Sequence, residues 1–174
     1  MDSAPRSMAT DRALTPQGAS SPGSSHVRAD GLASMRAAII SLAGELFAIE
    51  LKSVREVFVV ESITPVPGMP PGLAGVTNLR GTVIPLLDLR TMFGLHAGEA
   101  LQYAVVVKHG NWQVGILVDT VPEIRSLSMN QFLPAPSGTG KGTFPFVSTV
   151  VKLENQLRGV LEPSALLSHF EGTG

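Results

Sequence analysis

The stretch "GVTNLRGTVIPLLDL", residues 75–89, sets a polar island directly before a β-branched apolar run. It carries no nucleophile, metal-ligand set or phosphate loop. Asn78 and Arg80 stand between Gly75 and Gly81, so a planar donor fork is presented on backbone free to take positive φ. Val83, Ile84, Leu86 and Leu87 follow and anchor the island to a core. Two readings stay open from this motif alone. It is a recognition surface, or a glycine-bounded turn whose arginine satisfies nearby carbonyls.

Outward from this stretch the apolar residues fall in short runs separated by turn residues, which predicts strands rather than long helices. Segments 37–42 and 46–51 flank Ala43, Gly44 and Glu45, a hairpin connection, and 54–60 gives a third strand. Pro70 and Pro71 suit a first helical turn and Gly75 a terminus, predicting a short helix over 70–76. Segment 82–87 is a buried strand whose Pro85 predicts an edge or a bulge. A helical turn over 89–93 closes before Gly94.

The second half repeats the first. "SLAGELFAIELKSVREV" aligns with "VKHGNWQVGILVDTVPEI" after one insertion, placing Gly44 on Gly110, Val54 on Val121 and Glu56 on Glu123. Further on, Pro65, Val66 and Pro67 match Pro134, Ala135 and Pro136, and "PLLDLRTMF" matches "GVLEPSALL". The offset drifts from about 66 to about 74 residues, as loops of unequal length produce. Two similar small β units follow, each too small for comfortable stability alone, so they share apolar surface and leave a groove between them.

Composition bounds the function. The chain has 174 residues, with 13 Lys plus Arg against 14 Asp plus Glu, so no overall field draws it to nucleic acid or anionic lipid. There is no cysteine, which excludes disulfides and thiolate chemistry and is compatible with the cytoplasm. No apolar run approaches bilayer length. Residues 1–34 are rich in Ser, Pro, Ala and Gly, lack the features of a secretory signal, and read as a disordered tail.

Enzyme signatures fail one by one. His26, His96, His109 and His169 are scattered without a metal-ligand spacing, and no G-x-S-x-G elbow exists. In "SGTGKGT", residues 137–143, Gly142 stands where a phosphate loop needs Ser or Thr, and Pro134 and Pro136 replace the lead-in strand. Glu56 and Glu123 occupy equivalent places in the two repeats, which favours structural or interface roles over a facing acid pair. Asp88 and Asp119 each end an apolar strand, where a carboxylate accepts backbone N–H bonds or starts a turn. A nucleic-acid-binding small barrel is the rival fold-level reading; it needs basic residues interleaved with stacking aromatics, and this chain has one Trp, one Tyr and no basic run.

Four ordered segments, "LFAIELKSVREV", "ITPVPGMPPGLAGVTNLRGTVIPLLDLRTMFG", "VVVKHGNWQVGILVDTVPEI" and "LPAP", make the chain resemble the CheW family of chemotaxis coupling proteins from about residue 37 to 167. The resemblance implies a mainly β fold of two packed five-stranded, SH3-like β-barrel subdomains with short peripheral helices. It divides the chain into the tail, a CheW-like domain over 35–170 with subdomains over 35–98 and 99–162, and a C-terminal helix over 163–170. It implies a non-catalytic adaptor, without cofactor or metal, that couples a chemoreceptor's cytoplasmic tip to the regulatory domain of a CheA-type histidine kinase. CheW–CheW ring contacts, a cytoplasmic location at receptor arrays, no membrane insertion and no nucleic-acid partner belong to the same expectation. An adaptor of a chemosensory pathway for surface motility or second-messenger output is the alternative. Carried onto matching positions, partner contacts fall on Val54, Glu56, Val76, Asn78, Leu79 and Arg80. The chain departs from the family at "STVVK", residues 148–152, and at Arg158 and Gly159, which interrupt the aliphatic run of the last strand.

Overall fold

The computed structural model describes residues 33–135 and 146–171. The expected tail up to residue 32 and the glycine-rich segment 137–143 lie outside the described residues. Among the described residues, eleven strands and one α-helix follow in order: β1 Ser34–Leu42, β2 Glu45–Glu50, β3 Val54–Val59, β4 Leu73–Leu79, β5 Thr82–Leu87, β6 Tyr103–His109, β7 Trp112–Val118, β8 Glu123–Ser128, β9 Phe132–Pro134, β10 Thr149–Leu153, β11 Gln156–Val160 and α1 Pro163–Glu171.

The strands form two sheets, ordered β3-β6-β7-β5-β4 and β8-β1-β2-β11-β10-β9. Both curl towards closure by the same device. In the first, the chain leaving β3 reaches Thr64, which bridges Val76 of β4 at the far end. In the second, β8 pairs with β1, and after a three-residue 3-10 turn its continuation β9 pairs with β10. Counting β8 and β9 as one bent strand gives two five-stranded barrels, so among the described residues no long unpaired edge is left to template aggregation.

The barrels are not the two sequence repeats. One is built from the continuous segment β3 to β7, and the other from β1 and β2 with β8 to β11. The expected division at residue 98/99 is therefore corrected. The third strand of each repeat crosses over: β3 pairs with β6 of the second repeat, and β8 with β1 of the first. A repeat seen in sequence marks equivalent strands and says nothing of which hairpin each strand joins.

Three cores result. Ala37, Ile39, Ala48, Leu127, Val151, Leu153 and Val160 fill one barrel, and Leu86, Ala104 and Leu117 the other. The largest core lies between them, where Ile40, Phe47 and Ile49 meet Leu87, Phe93, Val105 and Ile116, and where Leu166 and Leu167 of α1 and Phe146 complete the packing. Strands buried on both faces explain the near-continuous apolar runs in β1, β6 and β7.

Two local expectations are corrected. The helix over 70–76 does not form: Leu73 N–H bonds to the Pro70 carbonyl in a single turn, and β4 starts there. Pairing with β5 and the Thr64–Val76 bridge outweigh the proline start signal, and a bulge between Leu73 and Gly75 absorbs the irregularity. Strand β5 is interior, not an edge. Val76, opposite Pro85, directs its own N–H and carbonyl to Thr64, so the missing proline donor breaks no bond with β4. Pairing with β7 is confined to Leu86 and Leu87, beyond the proline.

The departures near the end of the chain fit this packing. Arg158 Nη1 donates to Glu45 Oε2 across the β11–β2 junction at 2.8 Å, so the guanidinium is paired and only partly exposed. Gly159 lies where a Cβ would come within 3.1 Å of Val147 and 3.3 Å of Phe47. Its lack of a side chain lets that ring close over the strand.

Candidate partner-binding site

Arg80 and Gly81 form the two-residue β4–β5 turn, with φ of 50° and 86°. Positive φ at both central residues is the primed hairpin geometry whose twist matches the flanking strands. Asn78 Oδ1 accepts the Gly81 N–H at 2.8 Å, so its side chain is committed to holding this turn. Arg80, with 70% of its side chain exposed, donates through Nη2 to both carboxylate oxygens of Glu56 on β3. The hydrogen bond and charge of Glu56 raise the already high pKa of the guanidinium.

Glu56, Leu79 and Arg80 line one cavity of about 340 Å³ at the end of the β3–β7 barrel, together with Arg55, Lys108 and Gln113. Of the six residues expected from sequence, these three come together and Asn78 orders the turn beside them. Val54 is half-buried against the core between the barrels, opposite Val107. Val76 is half-buried and its backbone is occupied by Thr64. Neither valine lines the cavity.

Arg55 and Lys108 escaped the sequence reading. Arg55 sits inside "SVREV", but strand alternation points it away from its neighbour Glu56. A register shift between Val54 and Glu56 makes Arg55 the extra residue of a bulge, so two consecutive residues reach the same cavity. Lys108 on β6 pairs with Gln113 on β7, and both line the same cavity. No sequence signal announces that bulge.

The strand-ending carboxylates are structural. Asp88 is held below the usual carboxylate range by hydrogen bonds from Arg90, against the effect of burial; Arg90 Nε and Nη2 donate to it at 2.9 and 2.7 Å. Arg90 is itself nearly buried and its Nη1 donates to the Glu99 carbonyl at 2.9 Å. Burial pushes Asp119 up, but the Ser41 hydroxyl and the N–H groups of Gly44 and Ala43 outweigh it, with help from the charge of Arg90, and its pKa falls. Such groups stay ionised and fully engaged, a poor state for proton transfer near neutrality. Among the described residues no cluster of three or more His, Cys, Asp or Glu could hold a metal ion, and no helix is long and apolar enough to cross a membrane.

Known proteins are similar to this chain in sequence and in fold. The family model described as the CheW-like domain matches residues 36–171. The chemotaxis protein CheW of Bacillus subtilis (strain 168) is 30% identical over 126 residues, covering 71% of this chain and 81% of that protein. The CheW of Klebsiella aerogenes is 35% identical over 103 residues, 56% of this chain and 60% of its own length. Protein FrzA of Myxococcus xanthus is 35% identical over 91 residues, 50% of this chain and 56% of that protein. The crystal structure of the scaffolding protein TtCheW from Thermoanaerobacter tengcongensis superposes with a TM-score of 0.66 at 29% identity, covering 74% of this chain and 88% of that one. With two exchanged five-stranded barrels and a family match across nearly all described residues, the chain belongs to the CheW-like domain family.

Proposed function

We propose that this protein is a non-catalytic adaptor that couples methyl-accepting chemoreceptors to a CheA-type histidine kinase. The observation that carries the reading is the family match over 36–171, with a likeness to a solved scaffolding protein over the same fold. The described carboxylates with lowered pKa are spent on turns and ion pairs, which suits a binding module. The adaptor works by holding kinase and receptor in one geometry and raising their effective concentration, so it makes and breaks no covalent bond and needs no cofactor.

Partner contacts fall on Glu56, Leu79 and Arg80 around the cavity, with Asn78 fixing the turn and Val54 and Val76 supporting it from half-buried positions. The partners are the receptor's cytoplasmic tip and the kinase regulatory domain, with ring contacts between copies, and the protein sits in the cytoplasm at receptor arrays without entering the membrane. Retention of a CheA-type kinase and a chemoreceptor from native cell extract on the immobilised full chain tests the reading. Recovery of nucleic acid alone, or turnover of a small substrate by the pure protein, would overturn it.

The same adaptor role in a pathway governing surface motility or second-messenger output is the second reading. It is favoured by the match to Protein FrzA, a relative that carries a different name from the CheW proteins. The identity of the co-retained kinase separates the two.

A further inference from the structure

The chain enters both barrels in the same way. In the β3–β7 barrel Val60, the residue after β3, donates its N–H to the carbonyl of Gln102, the residue before β6, at 2.8 Å. In the other barrel Met129, the residue after β8, donates to the carbonyl of Ala33, the residue before β1, at 3.1 Å. One step further upstream in the first barrel stands Leu101, which packs against the core of Leu86, Ala104 and Leu117. One step further upstream in the second stands Leu32, immediately outside the described residues.

Where the counterpart of Leu101 belongs, the described residues leave an apolar groove. A cavity of about 540 Å³ lies over the start of β1, between Met129 on one side and Glu50 and Leu51 on the other. It shares Met35, Glu50 and Met129 with a second cavity of about 260 Å³, which runs on to Phe132 and Leu161. Met129 is 51% exposed, and Met35 and Phe132 are only half-buried against the core of that barrel. Flexible methionine side chains around a concavity adapt to the apolar group that fills it.

We infer that residues 27–32 of this chain turn back at Asp30 and Gly31 and seat Leu32 and Val27 in this groove. The second barrel is thus covered by its own lead-in chain, as the first is by Leu101. Asp followed by Gly is a turn pair, and Val27 is the next branched aliphatic residue upstream of it. No linker separates Leu32 from the groove, because the Ala33 carbonyl is already held by Met129. Its effective concentration there is on the order of millimolar or higher, so modest apolar burial suffices to hold it. The same segment of a second copy would first have to offset the lost freedom of association. Only the chain upstream of Val27 then remains a tail.

Backbone ¹⁵N relaxation on the full chain at two protein concentrations, with methionine-methyl spectra, tests this assignment in wild type, Leu32→Asp, Val27→Asp and the upstream control Leu14→Asp. In wild type, residues 27–32 should show order parameters of about 0.85, as rigid strands do, at both concentrations. Leu32→Asp should lower them below about 0.6 and shift the Met35 and Met129 methyl resonances, Val27→Asp should free the residues before the turn, and Leu14→Asp should change neither. Unmoved Met69 and Met92 resonances in each variant show that the fold is retained. Order parameters below about 0.6 across 27–32 in wild type would overturn the inference. So would an ordered segment whose release leaves Met35 and Met129 unshifted, because it would then sit elsewhere. Order that grows with concentration alongside a dimer in sedimentation would replace the occupant with a second copy and overturn it equally.

Discussion

Glu56 and Arg80 belong to strands at opposite ends of their sheet, β3 and the β4–β5 turn, and their ion pair spans the gap that closure of that barrel must cross. The other barrel carries an equivalent clasp. Arg125 of β8 donates to Glu154 of the β10–β11 turn at 3.0 Å, and Gln131 Nε2 donates to the Lys152 carbonyl at 3.0 Å. Glu123, the counterpart of Glu56, engages that same Arg125. The repeat-equivalent acids Glu56 and Glu123 thus stand one in each clasp, while the opposing turn carries Arg80 in the first and a second acid, Glu154, in the other.

The Glu56–Arg80 clasp and partner binding separate by charge exchange. Arg80→Ala lowers the melting temperature only slightly, because the pair is exposed and screened, and lowers partner affinity tenfold or more if the guanidinium is a hot spot. Exchanging the charges, Glu56→Arg with Arg80→Glu, restores the melting temperature and not the affinity. Recovery of both by the exchange would make Arg80 a structural brace alone.

Gly75 is fixed by close approach as well as by backbone angle. Its φ is 154°, and a Cβ there would lie 2.6 Å from the Thr64 carbonyl oxygen and 2.6 Å from Ile63 Cγ2. Gly75→Ala must displace the Thr64–Val76 bridge that closes the barrel, and a loss of about 1–3 kcal/mol is expected. Chemical denaturation measures it, and faster hydrogen exchange at the Thr64 and Val76 amides locates it.

Acid should unfold the protein through Asp88 and Asp119. Both have pKa values held below the ordinary range in the folded chain. Their stabilisation is therefore fully present above the unfolded value, about 4, and is lost as pH falls through the lower folded values. Asp119→Ala, which releases Ser41, Ala43 and Gly44, costs about 1 kcal/mol at neutral pH and flattens the decline in melting temperature below pH ~4. An unchanged acid profile would remove Asp119 from this account.

Phe146 is fully buried in the core between the barrels, edge-on to Phe93 at 5.4 Å between ring centroids. Phe146→Ala should cost about 3–5 kcal/mol. Because that core is shared, both barrels should unfold in one transition, before and after the substitution. Two resolved calorimetric transitions in wild type would show that the barrels are stable independently.

The strands were legible because their cores impose period and composition: β1, β2, β3 and β5 lie within a few residues of their expected spans, and the Gly44–Gly110 and Glu56–Glu123 equivalences survive as matching hairpins and strands. What failed depends on long-range pairing. Pro70 and Pro71 signal a helix that β5 overrides, and the exchange of β3 and β8 between hairpins is invisible to any local pattern. At the site, Arg80 was conspicuous between glycines, while Arg55 required knowledge of a bulge and Lys108 of the β6–β7 register.

Coupling without chemistry is measured by three-component sedimentation of receptor signalling fragment, CheA-type kinase and this chain. Kinase should pellet with receptor only when the chain is present, in proportion to the chain added, and Arg80→Ala should reduce the yield. Equal pelleting of kinase without the chain would contradict the account.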